Sequence, residues 1–168
     1  MRLSETCLKA LNGQIAHEYQ NHFVYAYYQS WAAFNGLTNI ENLFREQSFG
    51  EILHANMIKE FVLERDGAFD FSAFVMPGVE VPADIGAVFD AALELEQGTT
   101  EAIKSVVETS ESEGDLQTTA FLLNELLPDQ IEEEDTFYKI TARLATMGDM
   151  PGKEHALDLW VQEEFGDN

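Results

Sequence analysis

Four stretches of this sequence repeat apolar residues at alternating three- and four-residue steps for the length of a long helix, and each repeat is broken near its middle by a carboxylate. Such a period belongs to an amphipathic helix whose apolar stripe faces a core. The first stripe is Leu8, Leu11, Ile15, Glu18, His22, Tyr25, Gln29, Ala32, and the second is Ile40, Phe44, Gln47, Glu51, His54, Ile58, Phe61. The third runs Ile85, Phe89, Ala92, Glu96, Thr99, Ile103, Val106, and the fourth Leu116, Thr119, Leu123, Leu126, Gln130, Glu133, Phe137, Ile140, Leu144. No Lys or Arg stands in any of them.

Punctuation sets the boundaries. Ser4 caps a first helix that runs to Phe34 and stops at Asn35-Gly36. Asn39 is the expected cap of a second helix, which reaches Arg65 and ends at Asp66-Gly67. The segment from Ala68 to Pro82 carries Gly and two prolines, lacks a helical period, and is long enough to cross a whole bundle. A third helix from about Asp84 to Ser110 and a fourth from about Asp115 to Met147 are joined by Glu111-Ser112-Glu113-Gly114. Pro128 lies inside the fourth helix and predicts a local irregularity at Leu127-Pro128, because proline removes an N–H and crowds the preceding turn. Past Gly148-Asp149-Met150-Pro151-Gly152, a short tail helix from Lys153 to Phe165 offers Leu157, Trp160 and Val161 for packing. The expected fold is all-α: a four-helix bundle of two antiparallel hairpins joined by a long crossover, with a short C-terminal fifth helix. Residues 1–168 read as a single domain, the bundle occupying about 4–147.

The four interruptions lie at one depth. Glu18 is 14 residues beyond Ser4 and Glu51 is 14 before Arg65, so at about 1.5 Å per residue both sit roughly 20 Å from the same end of the first hairpin. Glu96, 12 residues beyond Asp84, and Glu133, 14 before Met147, fall at a matching height in the second. Four carboxylates and the imidazole of His54 therefore meet in mid-bundle, where a buried carboxylate without a counter-charge is prohibitively unfavourable. With no Lys or Arg in the stripes, a divalent cation is the remaining counter-charge. Oxygen-rich ligation with a single His suits iron(II) or manganese, with zinc as a competitor. Two ions fit better than one, with Glu51 between them.

Charge and cysteine content narrow the setting. Nine Lys and Arg against 31 Asp and Glu leave a net charge of −22, which repels nucleic acid and anionic lipid. That acidity fits a saline habitat as well as a role in attracting cations. No apolar run approaches the roughly 18–20 residues of a membrane span, and Met1-Arg2-Leu3-Ser4-Glu5-Thr6 lacks the apolar centre of a secretory signal. The one cysteine, Cys7, excludes an internal disulfide and is expected to be a small buried hydrophobe. A reducing cytoplasm is the expected compartment.

With these residues in place, the sequence resembles the ferritin family, most closely its prokaryotic, haem-free branch. The resemblance is carried by Leu11-Asn12-Gly13-Gln14-Ile15-Ala16-His17-Glu18 followed by Tyr25, then Glu51-Ile52-Leu53-His54, Leu95-Glu96-Gln97, and Gln130-Ile131-Glu132-Glu133-Glu134, in the family's order and spacing across nearly the whole chain. It implies a di-iron ferroxidase centre with one site from Glu18, Glu51 and His54 and a second from Glu51, Glu96 and Glu133. Gln130 lies nearby, and Tyr25 hydrogen-bonds to the centre or passes an electron. It further implies a 24-subunit shell in which iron(II) is oxidised by O2 or H2O2 and kept as ferric oxyhydroxide. Bacterioferritin and rubrerythrin repeat Glu-x-x-His on the fourth helix, whereas this chain has Gln130-Ile131-Glu132-Glu133; a haem-ligating Met would stand where Ile52 does. A peroxide scavenger of small oligomeric size, or a structural bundle with a vestigial metal site, are the alternatives.

Some positions depart from the resemblance. Relatives of this kind often hold a third iron with an acid directly before the bridging Glu, and here that residue is Gly50, although Asp129 and Glu132 match the other acidic positions. Ala120 and Leu123 stand where animal shells carry pore-lining acids. His17 and His22 are expected to be structural, and Glu94 solvated.

Overall fold

The computed structural model describes residues 2–166 and consists of helices, in the order the sequence predicts. Helix α1 is Glu5–Phe34, α2 is Thr38–Glu64, α3 is Ile85–Ser112, and the tail helix α5 is Lys153–Phe165. The fourth helix, α4, has three parts: Leu116–Phe121, a π turn at Leu122–Leu126, and Leu127–Met147. Met1, Asp167 and Asn168, which the single-domain expectation of 1–168 also spans, lie outside the described residues.

Local chemistry explains most of the boundaries. Ser4 caps α1 by accepting the N–H of Cys7, and Asp84 caps α3 by accepting that of Ala87. Gly36 ends the first helix in the left-handed region at φ 72°. At the close of α2 it is Asp66 that takes the positive φ, 57°, while Gly67 is dictated by packing: a Cβ there would meet Val62 Cγ1 at 2.8 Å and Leu8 Cδ1 at 2.9 Å.

The crossover follows α1 from one end to the other. Asn12 donates to Ala68 O and accepts from the N–H of Asp70, Gln20 donates to Val75 O, and Ala83 and Asp84 close beside Trp31 and Asn35. The second hairpin therefore starts at the far end of the first. Two apolar cores result. One gathers Tyr25, Phe44, Phe89, Phe137 and the tail residues Leu157 and Val161; the other holds Leu11, Ile15, Ile58, Ile103, Leu122 and the buried Cys7. The polar centre lies between them.

Two expectations need correction. Asn39 does not cap α2. The helix begins one residue earlier, and its free N–H groups at Asn39 and Ile40 are met by Asp158 Oδ1 of α5, each at 2.9 Å, while Asn39 Nδ2 donates to Asp158 Oδ2. Leu116 and Leu123 are also exposed, and Leu122 takes the core position instead. The π turn is the reason. It accommodates an extra residue, so the buried positions step by four through Leu122, Leu126 and Gln130 rather than by alternating three and four. It ends at Leu126, two residues before Pro128, where the missing N–H already rules out a regular bond, so an irregularity is present next to the predicted position.

Candidate metal centre

Each of the four helices delivers one carboxylate to the layer between the two apolar cores. Glu18, Glu51 and Glu96 are 1 %, 1 % and 0 % exposed, Glu133 is half-buried, and His54, one turn beyond Glu51 on α2, is buried. Ligand atoms of Glu18, Glu51 and His54 all lie within 4.8 Å of one another, close enough to share one ion. His54 Nδ1 is 3.9 Å from Glu51 Oε2, and its Nε2 is 3.9 Å from Oδ2 of the exposed Asp129.

The outer carboxylates are each gripped by a buried amide. Gln14 Nε2 donates to Glu18 Oε1 at 2.7 Å, and Gln130 Nε2 donates to Glu96 Oε2 at 2.6 Å and to the Glu96 carbonyl at 3.2 Å. Tyr25, wholly buried, donates its hydroxyl to the other Glu96 oxygen. What is left over is a set of buried oxygens with no hydrogen-bond partner: Glu18 Oε2, both oxygens of Glu51, and Glu133 Oε2. Among the described residues no Lys or Arg pairs with any of the four acids.

Burial and mutual repulsion govern how these groups hold protons. Glu18 is pushed well above the ordinary carboxylate range, first by desolvation and then by the charge of Glu51. Glu51 is raised strongly by desolvation, with Glu96 and Glu133 adding repulsion, and Glu96 is raised by burial against the opposing hydrogen bonds of Tyr25 and Gln130. Glu133 is raised from 4.5 to about 8, by desolvation and then by Glu96. A metal-free centre therefore keeps protons that a bound cation would displace. The donor set fits hard divalent ions: acceptor oxygens and one imidazole are buried with their remaining lone pairs free.

The expected site residues thus converge, with one distinction. Glu18, Glu51 and His54 form the tight group, whereas Glu96 stands behind its bonds to Tyr25 and Gln130, with the carboxyl of Glu133 close enough for each to raise the cost of ionising the cluster. Asp129 and Glu132 are exposed and line a cleft of about 290 Å³ with Gln47, His54, Glu133 and Thr136. A Cβ on Gly50 would lie 3.6 Å from Glu133 Oε1. His17 is bound to Thr99 Oγ1 at 2.9 Å and His22 to Ser48 at 2.8 Å, which are structural partners, and Glu94 is exposed. Gln14 was not singled out as a site residue. Its place four residues before Glu18, where two side chains share a helix face, was the available signal.

Comparison with known proteins points the same way. Residues 8–147 match the family model for the ferritin-like domain. The chain is 30% identical over 164 residues to a bacterial non-heme ferritin of Staphylococcus aureus (strain USA300), covering 96% of this chain and 94% of that protein. It is 31% identical over 150 residues to the corresponding protein of Staphylococcus haemolyticus, covering 88% and 87%. In structure it is similar to the open pore ferritin from the hyperthermophilic archaeon Archaeoglobus fulgidus, with a TM-score of 0.87 at 30% identity, over 95% of this chain and 96% of that one.

Proposed function

This chain belongs to the ferritin family, and from that premise we propose that it is a ferroxidase that binds iron(II) in mid-bundle, oxidises it with O2 or H2O2, and stores the product as ferric oxyhydroxide inside a 24-subunit homo-oligomeric shell. The observation that carries the reading is the set of buried carboxylate oxygens that, among the described residues, have no hydrogen-bond partner and no Lys or Arg paired with them. Iron is the substrate. Its two ions would lie on either side of Glu51, one with Glu18 and His54 and one with Glu96 and Glu133, Gln130 being close to the second. When bound, ferrous iron supplies the electrons, and hard anionic oxygens favour the higher charge of the ferric product.

The protein's own groups set the stage for that exchange. Gln14 and Gln130 fix Glu18 and Glu96, leaving one oxygen of Glu18, both of Glu51 and Oε2 of Glu133 without a hydrogen-bond partner and open to cations. Tyr25 holds Glu96, so a redox-active phenol would stand one hydrogen bond away from a ligand of the second ion. All ligands are carboxylates save His54, which lets ferric product leave rather than remain trapped, as thiolates would hold it. The whole chain acts as one domain in this reading, haem-free and cytoplasmic, without nucleic-acid or membrane partners; no helix among the described residues is long and apolar enough to cross a membrane.

The deciding experiment adds iron(II) to metal-free protein in air while O2 uptake and ferric absorbance are followed, with sedimentation measured in parallel. Rapid O2 consumption by a large assembly, lost in Glu51→Gln, is the expected result. Full-rate oxidation in Glu51→Gln overturns the bridging assignment, and oxidation by a dimer would identify a scavenger rather than a store.

A further inference from the structure

Tyr25 makes three aromatic contacts besides its bond to Glu96. It stacks on Phe137 at 5.7 Å and 7° and on Phe44 at 6.0 Å and 23°, and it meets Tyr28 edge-on at 6.4 Å and 69°. These neighbours are not equivalent in redox chemistry. A phenol gives up an electron far more readily than a plain benzene ring, because its proton leaves with the electron. Of the three, only Tyr28 can take an oxidising equivalent from Tyr25. Tyr28 in turn meets Phe44 and, at 6.1 Å and 63°, Tyr27. Exposure increases along the row: Tyr25 is 0 % and Tyr28 5 % exposed, and Tyr27 is half-buried at the edge of the bundle. All three rings stand on α1, which fixes their spacing.

We infer that Tyr25, Tyr28 and Tyr27 form a relay that carries a one-electron oxidising equivalent from the iron centre to the protein surface, where a soluble one-electron reductant such as ascorbate quenches it. The inference rests on the ferroxidase reading. Where one ferrous ion gives one electron to H2O2, the products are ferric iron, hydroxide and a hydroxyl radical. That radical takes an electron and a proton from Tyr25, giving water and a tyrosyl radical. Tyr28 then returns an electron to Tyr25, which recovers a proton, and releases its own phenolic proton to solvent. Tyr27 does the same for Tyr28. Ascorbate restores the Tyr27 phenol by giving it an electron and a proton and becomes the ascorbyl radical. The device spares His54 and the carboxylates from an oxidant that would otherwise attack them.

Freeze-quenched electron paramagnetic resonance tests this on the assembled protein, loaded anaerobically with iron(II) and mixed with H2O2. Wild type, Tyr28→Phe and Tyr27→Phe are compared after growth with ring-deuterated tyrosine, each normalised to its own rate of iron oxidation. The expected result is a deuterium-sensitive tyrosyl signal whose decay on adding ascorbate slows by about an order of magnitude in Tyr28→Phe, with the radical held at Tyr25. In Tyr27→Phe the radical stops at Tyr28. Equal decay in all three proteins, or a signal insensitive to deuteration, overturns the relay while leaving iron oxidation standing. A chain that neither oxidises iron nor forms a radical overturns both readings. Thermal melts of each variant confirm that a lost signal does not reflect a lost fold.

Discussion

The carboxylate of Asp158 accepts the backbone N–H of Ile40 at 2.9 Å, across 118 residues of sequence, so the tail helix supplies the cap that α2 lacks. The same oxygen accepts from Asn39 N, and the second oxygen from Asn39 Nδ2. Around this contact Leu157 and Val161 are buried in the core that holds Tyr25 and Phe44, and the Arg143 guanidinium lies over Trp160, 5.6 Å from its ring centre.

Asp158→Ala removes three acceptor contacts at a buried helix start and should destabilise the fold by about 1–3 kcal/mol, the penalty of stranding buried donors. Urea denaturation of the metal-free protein reads this as a lower midpoint. Asp158→Asn, which keeps one acceptor, should lose less. Equal midpoints for wild type and Asp158→Ala would show that the tail docks through its apolar residues alone.

Metal-free protein should lose stability as pH rises from 4.5 to about 8. Glu133 has a raised folded-state pKa, so below its ordinary value both states are protonated and the folded state suffers no charge penalty. Above that value the unfolded chain ionises freely while the folded one holds its proton, so stability falls until the folded group also ionises. Glu18, Glu51 and Glu96, also raised, act in the same direction. Thermal melts across this window should show a falling Tm, the fall being shallower in Glu133→Gln because Glu18, Glu51 and Glu96 still contribute, and saturating divalent metal should restore stability at the alkaline end.

Gln14→Leu keeps the bulk of the side chain but frees Glu18 Oε1. Loss of such an orienting hydrogen bond typically weakens metal affinity about 10–100-fold. Titration with cobalt(II), followed by its ligand-field absorption, should show the tight group of Glu18, Glu51 and His54 weakened by that order. Unchanged affinity would assign Gln14 to packing only.

Gly50→Glu should create a further cation site. The position is uncrowded, a Cβ meeting Glu133 Oε1 at an ordinary 3.6 Å, and it adjoins the cleft lined by Asp129 and Glu132. Cobalt(II) stoichiometry is expected to rise by one ion per chain, and the metal-free variant should be less stable at neutral pH because another acid joins the cluster. Unaltered stoichiometry would mean that Asp129 and Glu132 act only as solvated residues.

Much of this was legible in the residue pattern because helices report themselves through local rules. Ser4, Asp84 and Gly36 mark their ends through bonds and dihedrals that span a few residues, and Glu18, Glu51, Glu96 and Glu133 meet because a constant rise per residue converts spacing into depth. The failures came where a partner is remote or the rise is not constant. Nothing near Asn39 reveals that Asp158 will cap the helix, and Leu123 reads as core only if α4 is taken to be regular. The grip of Gln14 on Glu18, the particular bonds that Gln130 makes to Glu96, and the places of Tyr28 and Tyr27 beside Tyr25 are not legible for another reason: side-chain aim depends on rotamers that spacing does not encode.

The π turn at Leu122–Leu126 has a consequence for how such a centre can be tuned. Each residue advances a helix by about 100°, so one added or removed there swings Gln130 and Glu133 around the axis together while the axis itself stays put. The turn works as a vernier between two rigid rods. Chains carrying the same ligand side chains but a different residue count in that segment would present them to a cation at a different azimuth, and sequence alignment of the ligands alone would not register the change.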